Sequence, residues 1–71
     1  MREIIAHKRI KELREEKGLS QLQLAKETGI TQSNISRYEA GISIPTSPNL
    51  IILSEYFKVS IDYLLGLEDY Y

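Results

Sequence analysis

Residues 20–40 read SQLQLAKETGITQSNISRYEA, and this stretch decides the fold. It divides into two short helices around a tight turn. Ser20 followed three positions later by Gln23 forms a capping box: the hydroxyl accepts an orphan backbone N–H and the amide reaches back. Thr31 is placed to cap a second helix that starts at Gln32. Leu19 with Leu24, and Ile30 with Ile35, occupy the N′ and N4 positions of the two helices, the spacing of a hydrophobic staple. Between them Gly29 supplies the left-handed residue on which the first helix ends.

The second of these helices is too polar for an ordinary core helix, and its polarity has a direction. At about 100° per residue, Ile35 and Tyr38 point one way, toward a core. Ser33, Ser36, Arg37 and Ala40 point the other way, with Gln32 and Asn34 on the flanks. Amides pair bidentately with adenine and Arg with guanine, while small residues let a backbone approach a groove. A helix-turn-helix has this layout, its second helix lying in the major groove of DNA. Polarity alone favours a solvated helix of a small bundle. The spacing of Ala25, Gly29, Ile30 and Ile35 favours the helix-turn-helix.

From about Ala6 to Gly66 the chain resembles the XRE family, the lambda/Cro repressor-like helix-turn-helix proteins. The matching runs are RIKELREEKGLSQLQLA, TGITQSNISRYEAG, a loop holding Pro45, and LSEYFKVSIDYLLG. They align with the family pattern without insertion or deletion. The resemblance implies an all-α, five-helix lambda repressor-like domain over residues 1–66, followed by a short tail, 67–71. It also implies a transcriptional regulator, a repressor, that binds double-stranded DNA; because a recognition helix this short reads few base pairs, a homodimer on a two-fold site is expected. The outward face of the helix and the resemblance together assign base reading to Gln32, Ser33 and Arg37. Ser20, Gln21, Thr31, Asn34 and Ser36 are expected to position the DNA backbone. In relatives the glutamine at Gln21 also braces the first residue of the recognition helix, here Gln32; an exposed first-turn glutamine is the alternative. By periodicity Arg14 is one more exposed arginine, but the resemblance implies that it bridges to Glu39 and locks the first helix to the third.

Length and composition set the bounds. Seventy-one residues allow one domain, which buries only about 60% of its extended-chain surface. There are no cysteines, hence no disulfide and no thiolate metal site. A single histidine, His7, leaves no material for a His-based metal site or catalytic triad. No phosphate-cradling glycine loop or nucleophile–base pair appears, so neither an enzyme nor a cofactor is expected. The longest apolar runs are too short to cross a membrane and MREIIAHKRI lacks a signal-peptide core; the expectation is a soluble, cytoplasmic protein. Nine Lys+Arg against ten Asp+Glu give a net charge of −1, whereas DNA-binding domains are usually basic. The charge is unevenly spread, at +2 over residues 1–39 and −3 over 40–71.

Along the chain, a first helix is expected over about 4–17, with Ala6, Ile10 and Leu13 on one face and Gly18 closing it. Ala6 is smaller than the residue relatives carry there, and Ile4 or Ile5 is the candidate to compensate. Helices follow at 21–28 and 32–39. Thr28 stands where an aliphatic residue is usual, a departure expected to loosen the elbow. In the loop AGISIPTS, residues 40–47, Ile42 and Ile44 replace the family's frequent basic residues. That leaves Ser43 as phosphate donor and the isoleucines either under the loop or against a second subunit. Ser47 as cap and Pro48 at the first position open a helix over 48–57, with Leu50, Leu53 and Phe57 as core. Ile52 and Tyr56 form a separate i,i+4 pair. The last helix spans 61–65, with Val59 and Leu64 as a third staple. Ile52, Tyr56, Tyr63, Leu67, Tyr70 and Tyr71 are the candidate dimer surface, with the core as the other place for Tyr63. An antitoxin-like or scaffold module on the same fold is the competing reading.

Overall fold

The computed structural model describes residues 3–70. Its helices are α1 (Ala6–Glu16), α2 (Gln21–Thr28), α3 (Gln32–Glu39), α4 (Ser47–Phe57) and α5 (Ile61–Leu65). No strand occurs among the described residues, so the fold is all-α with five helices. Both arms of the Ser20–Gln23 capping box are formed, at 3.0 and 2.7 Å. The Thr31 and Ser60 hydroxyls accept the backbone N–H groups of Asn34 and Tyr63 and start α3 and α5 in the same way. The turn between α2 and α3 passes through Gly29 at φ +79°.

Two helices differ in their bounds from the sequence expectation. The first helix begins at Ala6 rather than near residue 4, and ends at Glu16 with Lys17 as its cap. The Ile5 N–H is donated to the Leu65 carbonyl at 3.0 Å, so the chain ahead of α1 is tied to the end of α5. In α4 the cap is Thr46, not Ser47: its hydroxyl accepts the Asn49 N–H at 3.5 Å. Ser47 and Pro48 then take the first two helical positions, where a missing N–H costs nothing.

Each helix contributes to one core. Ile10, Leu24, Ile35, Leu53 and Leu64 are fully buried, and Ala6, Leu13, Ile30, Tyr38, Phe57, Val59 and Tyr63 surround them. Apolar residues recur at helical spacing on α1 (Ala6, Ile10, Leu13) and α3 (Ile35, Tyr38), which is why α3 packs against α1. α3 lies against both α1 and α2, and α5 closes the bundle against α1 and α4. Of the two residues expected to compensate for Ala6, Ile5 is half-buried with its side chain against Gly66, while Ile4 stays exposed. Thr28 corrects another expectation. Its hydroxyl donates to the Leu24 carbonyl at 2.8 Å and accepts the Ile30 N–H at 3.2 Å, so it fastens the elbow instead of loosening it.

Two positions carry left-handed backbone with opposite consequences. Gly66, at φ +88°, is buried, and a Cβ there would collide with the Ile5 side chain. Lys58 caps α4 at φ +58°, a conformation that favours glycine. Gly66→Ala should therefore lower stability by at least ~2 kcal/mol, and Lys58→Gly should raise it by ~0.5–1 kcal/mol. Urea denaturation of both variants checks the pair of signs.

Candidate nucleic-acid interface

Glu39, the last residue of α3, is the centre of the site. The Arg14 guanidinium donates to it through two nitrogens, Nε to Oε2 at 2.7 Å and Nη2 to Oε1 at 2.9 Å. A third donor comes from α2, where Gln21 Nε2 reaches Oε1 at 3.1 Å. The remaining guanidinium nitrogen, Nη1, donates to the Leu19 carbonyl at 2.7 Å. The two charged side chains are 12% and 5% exposed, so this is a partly buried, bidentate pair rather than a surface contact. The carboxylate's hydrogen bonds push the Arg14 pKa above the ordinary arginine value, against the opposing effect of burial. Through this network the end of α1, the α1–α2 turn, the start of α2 and the end of α3 meet at one point.

The anchored side of α3 is the apolar side as well. Ile35 and Tyr38 are buried, whereas Gln32, Ser33, Asn34, Ser36 and Arg37 are all exposed. The expected base-reading residues thus share the free face of a helix whose other face is held. Ser20 and Thr31 are exposed at the starts of α2 and α3. Their oxygens cap the helices, and each hydroxyl still has a proton to donate. Gln21, expected to brace Gln32, gives one amide N–H to Glu39. Beside this network lies a groove of about 300 Å³ lined by Lys11, Arg14, Gln21, Ser36, Glu39 and Ala40. Lys11 is exposed there and was not among the residues expected from sequence. Its signal was available in principle: it precedes Arg14 by three positions and so projects from the same side of α1. Ser43 sits apart, half-buried in a second groove with Ile4, His7, Tyr38, Gly41 and Ile44. It does not join the others. Ile42 and Ile44 are 65% and 55% exposed, so they do not pack under the loop.

The expected dimer surface needs correction. Tyr63 belongs to the core, with the Arg9 guanidinium 4.0 Å over its ring. Ile52 and Tyr56 are half-buried against the core, and Tyr56 meets Phe57 edge to face at 5.2 Å. The large apolar residue that α4 turns outward is the neighbouring Ile51. Leu67 and Tyr70 are exposed; Tyr71 lies outside the described residues. Among the described residues no group of three or more His, Cys, Asp or Glu could hold a metal ion. No helix among them is long and apolar enough to cross a membrane.

A family model described as a helix-turn-helix matches residues 10–64, which includes every residue of the Arg14–Gln21–Glu39 network. The chain belongs to the XRE-type helix-turn-helix family. Among XRE-type relatives it is 41% identical over 61 residues to YobD of Bacillus subtilis, named an uncharacterised HTH-type transcriptional regulator. That match covers 86% of this chain and 54% of the relative. It is 39% identical over 62 residues to the HTH-type transcriptional regulator ImmR of the same organism, covering 87% of this chain and 49% of the relative. A crystal structure of a transcriptional regulator from Listeria innocua superposes with a TM-score of 0.83 at 29% identity. It covers 92% of this chain and 61% of the other. The chain spans about half the length of the curated XRE-type relatives it matches.

Removing one partner of the Arg14–Glu39 pair strands a charge that is largely out of water. Glu39→Gln should cost about 2–3 kcal/mol and lower Tm by on the order of 10–20 °C in a domain of this size. Thermal denaturation followed by circular dichroism checks it. An unchanged Tm would make the pair a surface contact of ~0–1 kcal/mol.

Proposed function

We propose that the chain binds duplex DNA by laying the free face of α3 in the major groove, and that it regulates transcription as a homodimer acting in the cytoplasm. One observation carries this reading. Five polar side chains, Gln32, Ser33, Asn34, Ser36 and Arg37, are exposed together on a helix whose Ile35, Tyr38 and Glu39 are all held by the rest of the domain. Gln32, Ser33 and Arg37 read base edges, with Arg37 suited to guanine and Gln32 to adenine. Lys11, Ser20, Thr31, Asn34 and Ser36 take the phosphates on either side. Gln21 positions these contacts through Glu39. The names of the XRE-type relatives, transcriptional regulators by description, support a binding rather than a catalytic role.

Dimerisation follows from scale. An α3 of 8 residues is only ~12 Å long and reaches few base pairs. With a net charge of −1, one domain gains little from the phosphate field. A two-fold dimer engages a second half-site at high effective concentration, with half-site centres about 34–36 Å apart. Ile51, Leu67 and Tyr70, together with Ile42 and Ile44 of the loop, are exposed in the acidic C-terminal half and are the apolar side chains available to bury in such a contact.

Two variants separate base reading from phosphate contact. Arg37→Ala should cost about 1–3 kcal/mol on a preferred duplex and relax selection at one or two base pairs. Lys11→Ala should instead weaken all duplexes nearly equally and reduce the salt slope by about 1. Fluorescence anisotropy over a range of salt concentrations measures both. Equal losses by Arg37→Ala on preferred and random duplexes would remove it from the base-reading set. Sedimentation of the wild type with operator-length DNA tests the dimer, and a monomer at high micromolar concentration contradicts it.

A further inference from the structure

Asn49 lies outside the base-reading face, yet its side chain is committed to the helix that carries it. The Asn49 Nδ2 donates to the Tyr38 hydroxyl oxygen at 2.7 Å, a side-chain bond between α4 and α3. Asn49 is the third residue of α4, and its backbone N–H is already taken by the Thr46 hydroxyl. The amide side chain is therefore not needed to cap its own helix. Tyr38 is 4% exposed, so its ring is fixed by the core and its hydroxyl is a rigid point on α3. The next residue, Glu39, is held from α1 and α2 by Arg14 and Gln21.

Successive side chains on a helix stand about 100° apart. A helix tethered at one point can still roll about that point. Tethers at Tyr38 and Glu39, running to different neighbours about 100° apart, remove the freedom. Roll is the coordinate on which base reading depends most. With tips ~6 Å from the axis, a roll of about 15° moves Gln32 or Arg37 by ~1.5 Å. That exceeds the spread of useful hydrogen-bond lengths, 2.7–3.2 Å.

We propose that Asn49 is a positioning residue for base recognition, forming with Tyr38 the second of two tethers that set the roll of α3. The consequence for recognition rests on the reading of α3 as the DNA-reading helix; the tether itself is tested without DNA. Three variants are compared, each at a temperature where it is fully folded: Asn49→Leu, Tyr38→Phe and Asn49→Asp. The last keeps the bond, because the tyrosine hydroxyl can turn its proton toward a carboxylate, and a negative charge suits the first turn of α4.

Amide hydrogen exchange of the free protein is the first readout. Protection of residues 35–39 relative to α1 should fall in Asn49→Leu and Tyr38→Phe and be kept in Asn49→Asp. The second is the ratio of affinities for a duplex enriched from a random library and for its scrambled sequence. That ratio should fall about five-fold in Asn49→Leu and in Tyr38→Phe, with no further fall in the double variant. Affinity for the scrambled duplex should hold, and Asn49→Asp should restore the ratio. Unchanged α3 protection in Asn49→Leu, or an undiminished ratio, overturns the proposal. A library that yields no preferred duplex defeats the DNA-reading proposal instead, and hydrogen exchange then still decides whether the tether exists.

Discussion

Three N–H donors converge on the Glu39 carboxylate, two from Arg14 and one from Gln21, and the orientation of α3 depends on that convergence. Apolar packing of Ile35 and Tyr38 draws α3 onto the core, but hydrophobic contact is non-directional and leaves the helix some freedom to slide and turn. A bidentate arginine–carboxylate pair has a fixed fork geometry. Its net contribution to stability is modest because both charges give up water. Its contribution to geometry is larger: it joins the end of α1 and the start of α2 to the last residue of α3.

The same pair resolves a difficulty of charge. A chain with net charge −1 has little electrostatic attraction to spare for DNA. Glu39 is the one acidic residue within α3 and would repel a phosphate if free. Paired with Arg14 and removed from solvent, it does so far less. Lys11, on the groove that the pair lines, and Arg37, on the free face of α3, remain exposed. The network that orients the helix also leaves the local surface mildly basic.

Much of this was legible in the sequence, because the deciding signals are local. Capping at Ser20 and Thr31, and the left-handed turn at Gly29, depend on residues within four positions of one another. The periodicity that buries Ile35 and Tyr38 is also what exposes Ser33, Ser36 and Arg37. Misses occurred where two adjacent residues were chemically alike. Thr46 and Ser47 can each cap α4, and Ile51 and Ile52 differ by one helical step of about 100°, enough to exchange core for solvent. The Thr28 hydroxyl bonds are local, to Leu24 and Ile30, and were missed because Thr28 was weighed only as a lost aliphatic side chain. The Ile5–Leu65 hydrogen bond ahead of α1 and the Asn49–Tyr38 bond are tertiary and have no periodic signature. The Arg14–Glu39 pair is 25 residues apart in sequence, and only the family resemblance suggested it.

In the proposed mode of binding, a pre-oriented α3 presents its free face to DNA while the rest of the domain stays as it is. Titrating the ¹⁵N-labelled protein with an enriched duplex and following its amide and side-chain signals tests this most directly. Large shifts are expected at Gln32, Ser33, Ser36 and Arg37, smaller ones at Lys11 and Gln21, and little change at buried Ile10, Leu53 and Leu64. Shifts concentrated on α4 and α5 with α3 unmoved, or a general shift of the core on binding, would contradict it.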